Sequence, residues 1–347
     1  IKSGFKVYLL SNVYEHKNII ERDGITVIPL RFLKRSRINI FLELFSLFEI
    51  FLILRKIKPS ILHSVALKPV IYGSLVSFLL PRIKIINALG GLGFIFSSAS
   101  FKARFLRPII FNLLKLVCRK TNKIIIQNKD DFLFVVEKLG IKRQNVALIQ
   151  SAGVDINKFS TIQFNNKTPN VILASRMIWD KGIKEFVDAA KVLNKKGINA
   201  KFILVGKPDR ENPRAVPEKI LSKWNKLEFI DWIGYQENMV DVFKMASIVA
   251  LPTFYGEGIP KVLIEAMSCS RAIVTTNMPG CRDLVIDQLN GILVKPKDQK
   301  DLANALEKLI LNPHLCKIMG QKGREIAVKK YNQEKIFRET LDLYLND

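Results

Sequence analysis

The chain has 347 residues, 48% of them hydrophobic and 25% charged. This places it among globular proteins of about two domains and excludes a disordered tail, a collagen-like fibre or a disulfide scaffold. Lys and Arg number 55 against 31 Asp and Glu, a net charge of +24. The excess is concentrated in residues 1–150, with 25 basic and 8 acidic side chains, so that half is expected to face something anionic.

In chain order, short runs rich in Ile, Val and Leu at 5–10, 26–30, 60–63, 84–87 and 123–127 predict a first set of strands, with helical spacing between several of them. A second series follows at 170–174, 200–205, 227–231, 246–251, 272–275 and 291–294. Strands this uniformly apolar are buried on both sheet faces, which means parallel sheets covered by helices and two doubly wound α/β domains. The polar stretch Gln163-Phe-Asn-Asn-Lys-Thr-Pro169 is the linker candidate. The expected division is residues 1–160 for an N-terminal domain, 161–331 for a C-terminal domain, and 332–347 for a helix returning to the first. Ligands of such sheets bind beyond the C-terminal strand ends, so the two domains should enclose a cleft.

The longest apolar run, residues 38–54, is interrupted by Glu43 and Glu49 and is short for a bilayer span, so it reads as a buried or interfacial helix. Between Glu49 and Asp130 there are fourteen Lys and Arg and no acid. The bases alternate with apolar residues, as in Phe101-Lys-Ala-Arg-Phe-Leu-Arg-Pro-Ile-Ile-Phe111, and no RNA-binding aromatic signature, helix-turn-helix or zinc-finger spacing accompanies them. An anionic membrane surface is therefore favoured over nucleic acid as the partner. Four scattered cysteines without a CxxC pair suggest a reducing cytoplasm, and three scattered histidines do not suggest a metal site.

The most informative segment is Pro252-Thr-Phe-Tyr-Gly-Glu-Gly-Ile-Pro-Lys-Val-Leu-Ile-Glu-Ala-Met267. It leaves a strand, passes a loop carrying Glu257, Gly258 and Ile259, and becomes helical from about Pro260, with Glu265 eight positions after Glu257. Free amides at a helix start suit phosphate, and the two carboxylates can accept from sugar hydroxyls on either side of it. Upstream, Ala174-Ser-Arg-Met-Ile-Trp-Asp-Lys-Gly182 also leaves a strand and enters a helix, and its Arg176 and Lys181 can neutralise a diphosphate. Together the segments point to one nucleotide-diphosphate site. Gly90-Gly91-Leu92-Gly93 lacks the G-x-G-x-x-G spacing, so a nicotinamide cofactor is rejected.

These residues, with Asn277-Met-Pro-Gly-Cys-Arg-Asp-Leu-Val285 and Asn290-Gly-Ile-Leu-Val294, resemble glycosyltransferase family 4, retaining enzymes of the GT-B fold. His63-Ser-Val-Ala-Leu-Lys-Pro-Val-Ile-Tyr-Gly73, Asn87-Ala-Leu-Gly-Gly-Leu-Gly-Phe94, Gln127-Asn-Lys-Asp-Asp131 and Ser151-Ala-Gly-Val-Asp155 resemble the branch that acts on undecaprenyl-diphosphate-linked acceptors for capsule, O-antigen or glycan synthesis. The resemblance implies that Glu257 contacts the donor sugar and Glu265 the ribose. Arg176 and Lys181 would hold the diphosphate, assisted by the backbone at Gly182, Gly258, Ile259 and Pro260. No cofactor or bound metal is implied. The donor would be a UDP-sugar, with an N-acetylhexosamine transferred to a polyprenyl-diphosphate-linked saccharide by a protein peripheral on the inner face of the cytoplasmic membrane. His63, read as ending its strand, with Lys68, Gly91 and Gly93, is expected on the acceptor side. One departure stands out: the chain opens with what looks like a helix end, Ile1-Lys-Ser-Gly4, so its N-terminal domain is expected to lack its first strand and helix. That strand is central in a doubly wound sheet, so open neighbouring edges and a catalytically inactive, membrane- or partner-binding relative form the alternative.

Overall fold

The computed structural model describes residues 1–13, 16–33, 39–80, 82–91, 101–162 and 168–346, with the side chains of 101–103 excepted. Gly93 and most of the polar stretch at 163–169 lie outside the described residues.

All described strand pairs are parallel, as the unbroken apolar runs require. In the N-terminal half, β1 (Tyr8–Ser11) pairs with β2 (Thr26–Pro29), and a separate four-stranded sheet runs β3 (Ile61–Val65), β4 (Lys84–Leu89), β5 (Lys123–Ile126), β6 (Val146–Leu148). The C-terminal half holds one sheet, with β7 (Asn170–Ala174), β8 (Lys201–Val205), β9 (Ile230–Trp232), β10 (Ile248–Leu251), β11 (Ala272–Thr276) and β12 (Gly291–Val294) in the order β12-β11-β10-β7-β8-β9. Most strands fall within a residue or two of expectation. β9 begins three residues later than the apolar run at 227, and β6, only three residues long, has too little pattern to announce itself.

The described helices are α1 (Lys17–Arg22), α2 (Ile40–Ile57), α3 (Leu67–Ser77), α4 (Phe101–Arg119), α5 (Lys129–Leu133), α6 (Ile183–Lys195), α7 (Glu218–Trp224), α8 (Met239–Met245), α9 (Lys261–Ser268), α10 (Cys281–Leu284), α11 (Gln299–Ile310), α12 (Pro313–Lys330) and α13 (Gln333–Leu345). Helices cover both faces of the C-terminal sheet. On one side Phe186, Leu193, Leu306 and Leu309 fill the core, and on the other Phe243, Leu263, Ile264 and Met267 do so. Helices α2, α3 and α4 lie side by side in the N-terminal half. Helix α13 packs Ile336, Leu343 and Tyr344 against Ile61, Ile86 and Ile125 of the four-stranded sheet.

The topology also locates the chemistry. The C-terminal sheet starts at β7 in its interior and winds outward in both directions, so its order reverses between β7 and β10. A crevice opens at such a switch point beyond the strand ends. The loops that leave β7 and β10 are the two segments carrying Arg176, Lys181 and Glu257.

Candidate functional site

Lys181 and Glu257, 76 residues apart, meet in an ion pair in which each side chain is only about an eighth exposed, at 12% and 13%. Lys181 sits in a single 3₁₀ turn, Trp179–Lys181, between β7 and α6. Glu257 is further held by the hydroxyl of Thr253, 3.2 Å from its Oε1, and Thr253 is tied to the Lys181 loop because its Oγ1 lies 3.1 Å from the Asp180 carbonyl. The Phe254 amide donates to that same carbonyl at 2.9 Å. The two loops are therefore stitched together by backbone before any ligand arrives. The Lys181 ammonium also lies 5.6 Å from the centre of the Tyr255 ring.

Arg176 follows β7 in the same loop and pairs with Asp209 at 2.5 Å, with 40% of the Arg176 side chain and 13% of the Asp209 side chain exposed. Asp209 is the more buried partner, so a phosphate that takes up Arg176 competes with a largely desolvated carboxylate. Asp180 pairs with Arg214 at 3.1 Å and not with either predicted base.

Helix α9 begins at Lys261, with Pro260 one position earlier as its N-cap. Glu265 lies inside the helix, 8% exposed, with the Lys261 ammonium 3.6 Å away. Burial raises its carboxyl above the ordinary glutamate range, and Lys261 and Lys158 offset this only in part. A raised carboxyl favours the protonated native state, so this contribution to stability is full below the ordinary glutamate pKa of ~4.3 and is lost as pH rises through the raised value. Glu265→Gln removes that titration. Thermal melts should show the variant melting above the parent chain at pH 7 and the gap closing towards pH 4; parallel curves at all pH would contradict the assignment.

The N-terminal half closes onto this loop. Asn128 donates to the Glu257 carbonyl at 3.1 Å, and Gln127 Oε1 accepts from the Ile259 amide at 3.3 Å. Thus the Ile259 amide, expected to face phosphate, is engaged by a side chain from across the cleft. The Asp283 carboxylate accepts from the Lys129 amide at 3.3 Å, and Arg282 pairs with Asp130 at 2.6 Å. Gly91 comes so close that a Cβ there would lie 2.8 Å from the Gly258 amide nitrogen.

Of the positions expected on the acceptor side, His63 and Lys68 have partners in α13 and α2. His63 is in the middle of β3 rather than at its end, with Nδ1 2.5 Å from the Tyr344 hydroxyl of α13 and its pKa lowered by burial. Lys68 pairs at 2.7 Å with Glu43, which also accepts from the Tyr72 hydroxyl at 2.7 Å. Sequence reasoning quoted Gln127, Asn128 and Asp283 within motifs without giving them a role. Thr253 and Gly280 stood in quoted motifs in the same way, and their signals are tertiary: Gly280 has φ +80, and a Cβ there would lie 1.9 Å from the Gly258 carbonyl. Cys281 is buried beside the Lys181–Glu257 pair, and burial pushes its thiol up to about 12, which removes it as a nucleophile.

Two facing Rossmann-like domains with a basic and acidic cluster at the switch point define the GT-B class of group-transfer enzyme. The C-terminal half matches the family model "Glycosyl transferases group 1" over residues 155–326, and the N-terminal half matches "Glycosyl transferase 4-like" over residues 1–128. The chain belongs to glycosyltransferase family 4. It is 27% identical, over 98% of its length and 90% of the relative's, to the N,N'-diacetylbacillosaminyl-diphospho-undecaprenol alpha-1,3-N-acetylgalactosaminyltransferase of Campylobacter jejuni. It is 25% identical, over 99% of its length and 90% of the relative's, to the capsular polysaccharide biosynthesis glycosyltransferase CapM of Staphylococcus aureus. Among solved structures, sucrose-phosphate synthase of Thermosynechococcus elongatus superposes with a TM-score of 0.82 at 19% identity, over 99% of this chain and 89% of that one. Anabaena HepE in complex with UDP superposes with 0.78 at 15% identity, over 99% and 100%. At these identities the structural likeness concerns the fold.

Proposed function

We propose that the chain transfers an N-acetylhexosamine from a UDP-sugar to a polyprenyl-diphosphate-linked saccharide, with retention of anomeric configuration, at the cytoplasmic face of a membrane. The carrying observation is the Lys181–Glu257 pair at the switch point, with Arg176, 40% exposed, in the same loop as Lys181. Donor diphosphate takes up Lys181 and Arg176, which stabilise the negative charge developing on the leaving UDP. Released from Lys181, Glu257 accepts from hydroxyls of the donor sugar, while Glu265 accepts from the ribose. Closure through Gln127, Asn128 and Asp283 excludes water and aligns the acceptor. In this reading residues 161–331 carry the donor, and residues 1–160 with the helix at 332–347 carry the acceptor. The names of the Campylobacter and Staphylococcus relatives support the acceptor class, and UDP in the HepE complex supports the donor nucleotide.

The test is an assay of the full chain with UDP-GalNAc, UDP-GlcNAc and UDP-galactose against a short-chain prenyl-diphosphate-linked N-acetylhexosamine, with product configuration read by NMR. Transfer with retention is expected. UDP binding without turnover would favour the inactive relative, and absence of both would end the assignment.

The membrane part of the proposal rests on α2. No helix among the described residues is long and apolar enough to cross a membrane. Helix α2 buries Ser46, Ile50 and Leu54 and leaves Phe41, Leu44, Phe45, Phe48 and Leu52 48–70% exposed along one stripe. The stripe ends on Arg55, Lys56 and Lys58, and Phe105, Ile109 and Leu116 of the acid-free α4 are exposed as well. Apolar residues with a basic border suit the interface of an anionic bilayer. In vesicle flotation with anionic lipid, replacing Phe41, Phe45 and Phe48 by Ser should lower the bound fraction at least about tenfold, since each buried ring contributes roughly 1.5–3 kcal/mol. Undiminished binding would refute a role for this helix.

A further inference from the structure

A cavity of about 660 Å³ opens at the N-terminal edge of the C-terminal sheet, at the opposite end of the strands from the Lys181–Glu257 pair. Its floor is apolar, with Ile248, Leu309 and Ile310 almost fully buried. Its wall includes Arg271, 2% exposed, and its rim the exposed His314 and Lys317 of α12. Arg271 donates from Nη2 to the Ile162 carbonyl at 2.7 Å, while its buried Nε has no partner. Among the described residues, no Asp or Glu lines the cavity.

A guanidinium stays protonated even where burial works against its charge, as it does here. A buried cation without a counter-charge costs several kcal/mol, and the usual compensation is a carboxylate. None is present among the described residues of the lining, while Arg271, with one buried donor unfilled, stands in the wall of an amphipathic cavity of the size that takes a small organic molecule. We propose that this cavity is a second binding site, for a small anionic amphiphile whose phosphate or carboxylate pairs with Arg271 and whose apolar body lies against Ile162, Pro169 and Pro313 of its walls. Lys317 and His314 add attraction at the mouth. The site is independent of sugar transfer and stands or falls without it.

Calorimetric titration of the full chain with hexyl phosphate and, separately, heptanoate tests the proposal and distinguishes the two head groups. Inorganic phosphate and 1-hexanol serve as controls lacking one half of the ligand. Saturable one-to-one binding is expected for at least one amphiphile, at least about tenfold tighter than for either control, a difference of roughly 1.4 kcal/mol. Arg271→Met keeps the side-chain volume and should weaken that binding about tenfold or more; Lys317→Glu, an exposed change that leaves the core intact, should weaken it in the same direction. Absence of saturable binding, equal binding of inorganic phosphate, or binding unchanged in Lys317→Glu would overturn the proposal.

Discussion

Replacing Lys181 by Ala should lower transfer turnover by about 10²–10³, the loss expected when one preorganised group that stabilises charge in the transition state is removed. The same change leaves Glu257, only 13% exposed, without its cation, and Thr253 as a neutral partner. The carboxylate then repels the donor diphosphate, so apparent donor affinity should fall as well. Lys181→Arg keeps the charge but not the compact ammonium, and should recover only part of the turnover. Steady-state kinetics with varied UDP-sugar, alongside thermal melts that confirm folding, decide the matter. Turnover within twofold of the parent chain would remove Lys181 from the mechanism.

Gly182→Ala should have a comparable effect through a different cause. Gly182 has φ +77, and a Cβ there would lie 2.1 Å from the Pro252 carbonyl oxygen, a backbone atom with no rotamer to yield. The left-handed conformation alone costs a non-glycine residue roughly 1–2 kcal/mol, before the collision. Relief requires the loop after β10 to move away from the loop after β7, which separates Glu257 from Lys181. A fall in melting temperature of about 5 °C or more is expected, at roughly 2–4 °C per kcal/mol for a domain of this size, together with lost transfer. Gly197→Ala is the matched control, since it has φ +75 with nothing within 4 Å of the added carbon. It should incur the conformational cost and keep full activity. Equal activity in the two variants would show that loop contact at Gly182 is not what positions the pair.

The limits of reading this chain residue by residue show at particular positions. Glu257 and Lys181 stood out because each sits just past an apolar run, at the start of a helix, where backbone amides are unpaired. Nothing in their local sequence says that they touch; that follows from β7 and β10 being neighbours, a consequence of strand order. Glu43 was legible only as an interruption in an apolar helix, yet it gives Lys68 and Tyr72 their partner. His63 was expected on the acceptor side from the resemblance of its segment, and its hydrogen-bond partner Tyr344, 281 residues later, was not legible in the sequence.

By itself, then, the amino-acid sequence determined the parallel α/β architecture, because unbroken Ile, Val and Leu runs admit burial on both faces and little else. It also determined the chemical inventory of the site and the basic, acid-free character of the segment from residue 50 to 129. The tertiary structure alone decided which charges neutralise one another, how Gln127, Asn128 and Gly280 meet the Glu257 loop, and that Arg271 is buried with no counter-ion among the described residues. Burial and periodicity are properties of neighbouring residues, while charge pairing depends on distances across a sheet that only the folded chain defines.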